Sequence, residues 1–505
     1  MLCSATWYRY LETTLRNFDL PVSVDRALGE PLNEQVAKQL RSAMREGRLR
    51  AGERLPSSRA LAGLLGVSRM VVTDAYGQLY AEGWLEGRHG SGTFVTDILP
   101  PQSAEAVLTA VREEEAVELR PGMVDLRPGV AWVKGLDTPA WRRAWRLAAT
   151  VPPAMRPDPR GLPGLRIALA DYVRRSRGVA CPIERLLVTR GATNGLDLLA
   201  TAVLRPGDRV GVEEPGYTKA RSVLAARGME LVPCPVDEHG LIVDALPDGL
   251  RLVYTTPSHQ YPLGGVLPVP RRQALLAWAR RTGALIAEDD YDGEFRYDVA
   301  PLPALYGLDP DVVVYLGTTS KTLTSDMGVG WLVARPDLVE AIAALRTDLN
   351  DRTAVVPQEA LRILLERGDL DRHVRRMRAE YARRRAAVAQ ALDGLPLLGD
   401  TAGLHLVVEA DKAVVDRAVA EAARRGVLLD ALERHHAGTP RATGLVIGYG
   451  AAANLGELRS ACSLVRELVV TARRELRWDG TVPAAPRSGG RRPDGRRPPD
   501  RTPGR

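Results

Sequence analysis

The sequence predicts a multidomain protein, with a small, mainly α-helical domain at the N-terminal end and a larger α/β domain after it. Three observations carry this prediction. A chain of 505 residues is long enough for two or more domains, each with its own core. Helical periodicity dominates residues 31–81. From residue 186 onward, apolar runs typical of buried strands alternate with helical stretches, as in a parallel sheet.

The N-terminal domain begins, after about 20 residues without a clear pattern, with a helical stretch over 31–44. A Pro/Ser start opens a second, short helix at 55–62. The three-residue turn 66–68 separates it from a third helix over 69–81. Two short helices across a tight glycine turn, followed by a glycine-rich hairpin at 84–95, predict a winged helix-turn-helix.

The charge of this domain is modest, so a DNA-binding role depends on where its polar residues lie. Residues 31–95 hold nine Lys and Arg against six Asp and Glu. A small helical dimerisation module with solvated arginines would show the same pattern. The residues expected to reach phosphates and groove edges lie at helix N-termini and at the hairpin tip, and they are Arg59, Ser68 (also the predicted N-cap of the third helix), Arg69, Thr73 and His89.

The large domain is organised around a buried strand, 312–316, whose carboxyl end leads through a polar turn to Lys321. Open α/β sheets place their ligands at this edge, and burial favours the neutral amine that condenses with an aldehyde to a Schiff base. A second apolar run, 284–287, leads to Asp289 and Tyr291. A buried carboxylate keeps a pyridine nitrogen protonated, and a phenol can approach the ring hydroxyl. The three side chains therefore form a candidate pyridoxal phosphate (PLP) site, although each stretch alone also suits a solvated turn.

The composition disfavours several other classes of protein. The four cysteines lie far apart without a CxxC pair, which favours a reduced compartment. Neither a signal peptide nor an uncharged run of 18 apolar residues is found, so we expect a soluble cytoplasmic protein. The seven histidines lack metal-ligand spacing, and no metal is expected. The formal net charge is +7. Most of it comes from residues 487–505, which contain seven Arg and two Asp and are expected to be disordered.

Several stretches resemble a known family. PLNEQVAKQLR, LPSSRALAGLLGVSRMVVTDAYGQL and EGWLEGRHGSGTFV are similar to the winged helix of GntR-family transcriptional regulators. EEPGYTKAR, TPSHQYPLGG, EDDYDGEFRYD, GTTSKTL and AGLHLV resemble the PLP-binding, aminotransferase-like domain of the MocR/GabR subfamily. The resemblance implies four segments: a winged helix-turn-helix over 22–95, a linker over 96–122, a fold-type-I aminotransferase-like domain with a small C-terminal α+β subdomain over 123–475, and a basic tail over 476–505.

The resemblance also implies a role for individual residues around the cofactor. Lys321 would hold the aldehyde, Asp289 the ring nitrogen and Tyr291 the ring hydroxyl, while Tyr217 would stack on the ring. Tyr261 stands where related aminotransferases keep an asparagine, and Ser320 precedes the lysine. The turn that opens a helix with free amide groups, and would hold the phosphate, consists of Gly191, Ala192 and Thr193.

Some positions depart from the family pattern. Gly328 occupies the place of an arginine that usually clamps the phosphate, and Thr319 replaces a phenylalanine. Losing a charged phosphate contact costs roughly 1.5–3 kcal/mol, so either cofactor binding is weaker or Arg156 supplies the charge. Arg156 stands where the family often has a tyrosine that reaches the partner subunit's phosphate. The arginine for a substrate carboxylate is expected at position 444, which is glycine, and Arg441 is the nearby candidate.

These features predict a PLP-dependent transcriptional regulator that forms a homodimer and binds operator DNA. Its large domain is expected to sense a small amine, an amino acid or PLP itself. We expect full transamination turnover to be absent or very slow. Two alternatives stay open: an active PLP-dependent aminotransferase with an accessory DNA-binding domain, and a regulator whose large domain is a PLP-free dimerisation scaffold.

Overall fold

The computed structural model describes residues 22–88, 92–96, 122–152, 154–297 and 301–478. The described residues fall into two compact units, one before and one after the gap at 97–121. Several predicted features lie outside the described residues: His89 at the hairpin tip, almost all of the linker, the patternless N-terminal segment and the tail beyond residue 478.

The first unit combines helices with a small antiparallel sheet. Its described elements are α1 (Leu32–Arg45), β1 (Arg54–Leu55), α2 (Ser58–Leu65), α3 (Arg69–Ala81), β2 (Leu85–Arg88) and β3 (Gly92–Val95). Strand β3 is central and pairs with both β1 and β2, so the last two strands form the wing. Apolar side chains from all three helices meet in one core, among them Val36, Leu40, Leu61, Val72 and Leu79. The winged helix-turn-helix is therefore present as predicted.

Local sequence sets the ends of the two helices of this motif. The Ser57 hydroxyl accepts a hydrogen bond from the backbone N–H of Ala60, and the Ser68 hydroxyl accepts one from Val71. Between the helices, Gly66 has a φ of 62°, a left-handed conformation that glycine adopts without strain. The glycine turn and the serine cap together fix where α2 ends and α3 begins.

The second unit alternates strands and helices along the chain. Its strands are β4 (Val124–Asp125), β5 (Leu186–Thr189), β6 (Arg209–Glu214), β7 (Glu230–Asp237), β8 (Gly240–Leu241), β9 (Leu252–Thr255), β10 (Leu285–Asp290), β11 (Val313–Thr318), β12 (Gly330–Val333), β13 (Leu397–Leu398), β14 (His405–Glu409), β15 (Val427–Leu428), β16 (Asp430–Ala431) and β17 (Gly444–Gly448). Its helices are α4 (Pro139–Ala148), α5 (Pro163–Arg177), α6 (Ala192–Val203), α7 (Thr218–Ala226), α8 (Val269–Thr282), α9 (Pro336–Asp348), α10 (Val355–Glu366), α11 (Asp369–Ala391), α12 (Lys412–Arg424) and α13 (Leu455–Trp478).

Eight strands form the central sheet, in the order β5-β12-β11-β10-β9-β6-β7-β8. The strands from β11 to β7 run parallel, as the alternating pattern predicted. Strand β12 is antiparallel to both of its neighbours, and β8 is antiparallel to β7, so the sheet is mixed. The physical reason is the short connection before each of these strands, because a parallel return needs a crossover of a dozen or more residues.

Both faces of the central sheet are buried. In β11, Val313 and Tyr315 pack into the core on one face, whereas Val314 and Leu316 pack into the core on the other. This double burial explains why the strand reads as an unbroken apolar run instead of an alternating one. The predicted strand 312–316 was placed slightly early, since hydrogen-bonded pairing with β12 continues to Thr318.

The C-terminal part of the unit is a smaller α+β subdomain. Its antiparallel sheet has the order β13-β14-β17-β16, and β15 pairs with β4 from the start of the unit. Helices α11, α12 and α13 cover this sheet and share its core. Within the described residues no helix is long and apolar enough to cross a membrane. The described cysteines, Cys181, Cys234 and Cys462, are free thiols.

Candidate functional site

Lys321 lies three residues past the end of β11, at the edge where the carboxyl ends of the parallel strands meet. Its Nζ donates a hydrogen bond to the carbonyl oxygen of Gly129 at 2.6 Å. Burial lowers the pKa of the ammonium group, and the carboxylates of Asp292 and Asp289 oppose that shift. Burial favours the free amine, while the carboxylates keep a proton available nearby. Such a balance suits a lysine that reacts with carbonyl groups.

Asp289 is the second member of the site and lies in β10, level with Leu316 of the neighbouring β11. Its Oδ2 accepts a hydrogen bond from the Tyr254 hydroxyl at 2.6 Å. Its Oδ1 is buried and has no hydrogen-bond partner among the described residues. Burial raises the pKa of this carboxyl to about 7. A buried acceptor without a donor is costly, so Oδ1 fits a ligand that brings an N–H group, as a protonated pyridine ring does.

A buried ion pair holds the end of β10 in place. Arg177 binds both carboxylate oxygens of Asp290, at 2.5 and 2.8 Å, and the side chains of both residues are almost completely buried. The Tyr315 hydroxyl donates to the same carboxylate at 2.7 Å. Because Asp290 directly follows Asp289, this bidentate pair fixes the backbone that carries the candidate ring-nitrogen residue.

Three tyrosines form an aromatic wall beside these groups. The rings of Tyr217 and Tyr261 have centroids 5.7 Å apart, and those of Tyr261 and Tyr291 are 6.0 Å apart, both nearly perpendicular. Burial and the nearby Asp289 raise the pKa of Tyr217, whereas the neighbouring Thr193 side chain lowers it. The structure thus brings the predicted aromatic residues together with Asp289 and the turn at the start of α6.

The turn predicted to hold a phosphate lies at the N-terminus of α6. Gly191 precedes the helix with a φ of 111°, and the helix begins at Ala192. The hydroxyls of Ser320 and Thr318 are 2.9 Å apart, and the Thr318 oxygen lies 3.7 Å from the position that a Cβ on Gly191 would occupy. The Thr318 hydroxyl donates to Ser320, so the Ser320 hydroxyl keeps its own proton and, with the free amides of the helix start, offers donors to an anion.

The departures from the family pattern have distinct structural settings. Gly328 is exposed with a φ of +56°, and a Cβ there would meet nothing within 4 Å. Thr319 is buried and donates to the carbonyl oxygen of Val329 at 2.7 Å, so it holds the turn next to Lys321. Arg156 is exposed and has no hydrogen-bond or salt-bridge partner among the described residues. Its predicted approach to a phosphate concerns a partner subunit and stays a prediction.

The predicted arginine for a substrate carboxylate does not join the other site residues through any described contact. Arg441 is exposed, and only its backbone N–H, which donates to the His436 ring, makes a described hydrogen bond. At position 444, a Cβ would lie 2.4 Å from the carbonyl oxygen of Val408, so strand β17 leaves no room there for a side chain. A cation that the sequence analysis missed, Lys219 on α7, lies close enough to Lys321 to lower the pKa of that lysine further.

The structure adds three polar residues that sequence reasoning had not singled out. Tyr254 supports Asp289, and His259 lies between Asp292 and Tyr291, with its Nδ1 2.9 Å from each of their side-chain oxygens. His259 and Asp292 belong to stretches that the resemblance had highlighted, TPSHQYPLGG and EDDYDGEFRYD. Their pairing was missed because the two residues are 33 positions apart in the sequence and meet only in the folded chain.

The helix-turn-helix presents the other predicted site. Arg59, Ser68, Arg69 and Thr73 are all exposed, at or near the N-termini of α2 and α3. Arg69 Nε lies 3.3 Å from the Ser58 hydroxyl, and the Thr73 hydroxyl donates to the Arg69 carbonyl at 2.9 Å. The Ser68 hydroxyl caps α3, which leaves its own proton free for a phosphate. The arginine side chains carry no described ion pair and are available to an anionic partner.

Two families match separate parts of the chain. Residues 132–458 match aminotransferase class I and II, and residues 32–95 match the bacterial regulatory proteins of the gntR family. The pyridoxine biosynthesis transcriptional regulator PdxR of Corynebacterium glutamicum is 40% identical over 86% of this chain and 95% of its own length. The probable rhizopine catabolism regulatory protein MocR of Rhizobium meliloti is 34% identical over 84% of this chain and 91% of its own length.

Solved structures resemble the larger unit. A multiple substrate aminotransferase from Thermococcus profundus superposes with a TM-score of 0.66 at 23% sequence identity, covering 74% of this chain and 98% of the aminotransferase. At this identity the likeness concerns the fold alone. The predicted fold class is confirmed: a gntR-type helix-turn-helix joined to a fold-type-I aminotransferase domain.

Proposed function

The chain belongs to the MocR-type transcriptional regulators of the GntR family, and on that premise we propose that its larger unit holds PLP and controls operator binding. The proposed effector is a small amine, an amino acid or PLP itself, taken up at the edge of the central sheet. We propose further that the protein acts as a homodimer in the cytoplasm, where operator DNA is found.

The observation that carries this proposal is the unpartnered Oδ1 of Asp289. It is buried at the carboxyl end of the sheet while Tyr254 already occupies Oδ2. Burial raises the pKa of the carboxyl to about 7, so a positively charged donor is needed to hold it ionised at neutral pH. The protonated ring nitrogen of PLP is such a donor, and its positive charge would in turn be retained by the carboxylate.

The other residues supply the remaining contacts that PLP requires. Lys321, freed from its hydrogen bond to Gly129, can reach a carbonyl carbon. The wall of Tyr217, Tyr261 and Tyr291 would supply an aromatic surface for the cofactor ring. Bound PLP supplies an aldehyde that combines reversibly with amines. A regulator needs only this reversible exchange, because an effector shifts DNA binding through its different affinities for two conformations.

The set of Lys321, Asp289 and Tyr291 equally favours a second function, transamination. Two glycines weigh against efficient turnover, since Gly328 removes a charged phosphate contact and Gly444 leaves no arginine for a substrate carboxylate at that place. Incubating the PLP-loaded protein with amino donors and keto-acid acceptors separates the two functions. Sustained turnover at roughly 1–10³ s⁻¹, the range of ordinary enzymes, would make catalysis the main activity.

An absorption experiment tests the proposal directly. Purified full-length protein mixed with PLP should develop a visible band that borohydride makes permanent, because the reduced link to the lysine cannot dissociate. Lys321→Ala should lose the permanent link and keep measurable DNA binding in a gel-shift assay. Lys412→Ala is a matched control, since Lys412 is an exposed lysine paired with Asp416 and should behave as wild type.

The scaffold alternative predicts the opposite result. If wild-type protein given PLP shows neither a visible band nor a borohydride-stable link, the larger unit is a PLP-free dimerisation module. A permanent link that survives Lys321→Ala would place the reactive amine elsewhere in the chain and remove Lys321 from the site.

A further inference from the structure

A buried histidine and a buried aspartate back the tyrosine that faces the proposed cofactor ring. The Nδ1 atom of His259 lies 2.9 Å from Oδ2 of Asp292 and 2.9 Å from the phenolic oxygen of Tyr291. The side chains of His259 and Asp292 are only 3% and 1% exposed. One ring nitrogen therefore contacts two oxygens, and its single proton has to satisfy both.

The position of that proton follows from the chemistry of the three groups. An ionised carboxylate offers acceptors only, so His259 Nδ1 must carry the proton in order to bind Asp292. The same N–H also faces the Tyr291 oxygen, which then receives a donor and must direct its own proton elsewhere. Burial and the charge of Asp292 raise the pKa of Tyr291 well above its usual range, so the phenol keeps its proton and remains a donor.

With the proton on His259 Nδ1, no described residue accepts the Tyr291 O–H. Among the described residues, His259 Nδ1 is the one hydrogen-bond partner of the Tyr291 oxygen, so its proton is free to point toward the site proposed for PLP. We propose that His259 and Asp292 are positioning residues that orient the Tyr291 O–H toward the ring oxygen of the bound cofactor. This inference rests on the proposed function and adds to it the control of a proton at a named atom.

The surroundings keep the trio fixed. Gly403, with a φ of +73°, lies so close that a Cβ there would be 2.0 Å from Cε1 of His259 and 2.9 Å from Oδ2 of Asp292. The hydroxyls of Tyr449 and Tyr297 both donate to the Gly403 carbonyl oxygen and hold this backbone against the imidazole. Burial of His259 and Asp292 strengthens the hydrogen bonds of the trio.

Other titratable groups surround the trio, and the imidazole of His405 is one of them. The His405 ring lies beside that of His259, with ring centroids 5.2 Å apart and the ring planes tilted by 47°. Burial lowers the pKa of His405 to about 3, so its ring is neutral and does not add a proton to the cluster. Glu213, Asp289 and Tyr261 also act electrostatically on Tyr291, and Asp400 interacts with His259. Lys321 and His435 act on His405.

The test uses the PLP-loaded full-length protein and follows its visible absorption band against pH. A donor to the ring oxygen stabilises the deprotonated form of the cofactor, so it lowers the pH at which the band changes. His259→Phe keeps a ring of similar size and removes the N–H. The Tyr291 proton can then turn to Asp292. The midpoint of the absorption change, which is the pH at which half of the band has changed, should rise by about one pH unit.

Two further variants separate orientation from packing. His259→Asn places an amide nitrogen near the position of Nδ1, so it should return the midpoint toward the wild-type value. Asp292→Asn gives His259 a donor instead of an acceptor. The Nδ1 lone pair then faces Tyr291 and attracts its proton, so the midpoint should rise. The rise should be smaller than in His259→Phe, because the variant also removes the carboxylate charge that raises the pKa of Lys321.

A double variant and a control complete the experiment. In a Tyr291→Phe background, His259→Phe should cause no further shift, because the group that it orients is gone. His373→Phe is the matched control, since His373 is also buried and hydrogen-bonds the backbone at Thr322, next to Lys321, without touching Tyr291. This control should leave the midpoint unchanged.

Three results would overturn the inference in distinguishable ways. An unshifted midpoint in both His259→Phe and Asp292→Asn would show that neither residue controls the Tyr291 proton, although PLP binding stands. If His259→Phe shifts the midpoint by the same amount in the Tyr291→Phe background, the shift arises from altered packing and not from the orientation of the Tyr291 O–H. Wild-type protein without a visible band would overturn the proposed function and this inference with it.

Discussion

At the scale of single residues, the candidate site contains carboxyl groups whose charge is costly to bury. Burial raises the pKa of Asp289 to about 7, and it does the same for Glu288 and Glu294 nearby in the chain. A carboxyl group whose folded-state pKa is raised destabilises the folded chain once the pH exceeds its unfolded value. The site is thus arranged for a positively charged ligand at the expense of stability in its absence.

Replacing Asp289 with asparagine should stabilise the PLP-free protein and weaken PLP binding. The gain in the free energy of unfolding should be absent near pH 4, grow as the pH rises to about 7 and stay constant above it. We expect a gain of about 1–3 kcal/mol at pH 8, measured by urea unfolding at several pH values. The variant should also lose the visible PLP band, because an amide does not keep the ring nitrogen protonated.

Asp237→Asn provides a control with the opposite sign. Arg271 holds the pKa of Asp237 below its usual value, so removing that carboxylate should lower stability at neutral pH and have no effect at low pH. If Asp289→Asn destabilises the PLP-free protein at every pH, its carboxyl does not carry the buried charge inferred here.

At the scale of elements, helix α7 links the aromatic wall to the smaller subdomain. Arg221 of this helix donates to the carbonyl oxygens of Gly216 and His435, the latter at 2.6 Å, and its other nitrogen reaches two neighbouring carbonyls. The Glu214 carboxylate accepts hydrogen bonds from the backbone of Ala437 and Gly438. Tyr217 lies between these two anchors, so its position depends on segment 434–438.

Arg221→Ala should loosen this connection. The substitution leaves several buried carbonyl oxygens without a donor, and we expect a loss of about 2–4 kcal/mol in the free energy of unfolding. Limited proteolysis should cut the variant near residues 434–438, where wild type resists. Arg227→Ala, at the end of the same helix, removes only a partly exposed ion pair with Asp197 and should cost less than about 1 kcal/mol. Equal losses in both variants would contradict the anchoring role.

Helix α3 is the element that we expect to read DNA. Arg69 at its first turn is exposed and has no described ion pair, so Arg69→Ala should weaken operator binding by about 1–3 kcal/mol if the residue contacts a guanine. If Arg69 contacts a phosphate, the loss of affinity should be similar for all DNA sequences. The slope of the logarithm of the binding constant against the logarithm of the salt concentration should then decrease in magnitude by about one.

Fluorescence anisotropy with operator and unrelated DNA at several salt concentrations distinguishes the two roles of Arg69. Arg48→Ala is the control, because Arg48 pairs with Glu46 at the end of α1 and is not part of the predicted interface. Unchanged operator affinity in Arg69→Ala would remove this residue from the DNA-binding surface.

At the scale of the whole molecule, the missing phosphate charge connects cofactor binding to assembly. The PLP phosphate carries close to two negative charges, which the amides at the start of α6 neutralise only in part. Gly328 offers no cation, and Arg156 has no partner among the described residues of its own chain. We therefore predict that Arg156 reaches the phosphate of a second subunit, so that PLP occupancy and dimerisation support each other.

Arg156→Ala should weaken PLP binding about 10-fold or more and make the dimer less dependent on PLP, as measured by absorption titration and analytical ultracentrifugation. Gly328→Arg in that background should recover affinity, because nothing lies within 4 Å of a Cβ there, although the left-handed backbone at φ +56° costs about 1 kcal/mol. Lys219→Ala tests the alternative that a cation of the same subunit serves the phosphate. Unchanged PLP affinity in Arg156→Ala would show that Arg156 does not supply the phosphate charge that Gly328 lacks.

The sequence by itself determined the elements and much of the chemistry. The helical periodicity of the apolar residues and the turn residues predicted the helix-turn-helix, including the start of α3 at Arg69 and the serine that caps it. This was possible because caps and glycine turns are local interactions. An unbroken apolar run followed by a polar turn likewise identified β11 and pointed to Lys321, since a strand buried on both faces has that composition.

Only the tertiary structure decided which residues meet. Strand order brings β10 beside β11 and Tyr254 onto Asp289, and the antiparallel course of β12 makes a mixed sheet from an expected parallel one. The tertiary structure also joins His259 to Asp292 and packs both against Gly403, which lies more than 100 residues further along the chain. These contacts depend on how separate elements pack, and packing is set by the whole chain and not by the local residues that a sequence pattern records.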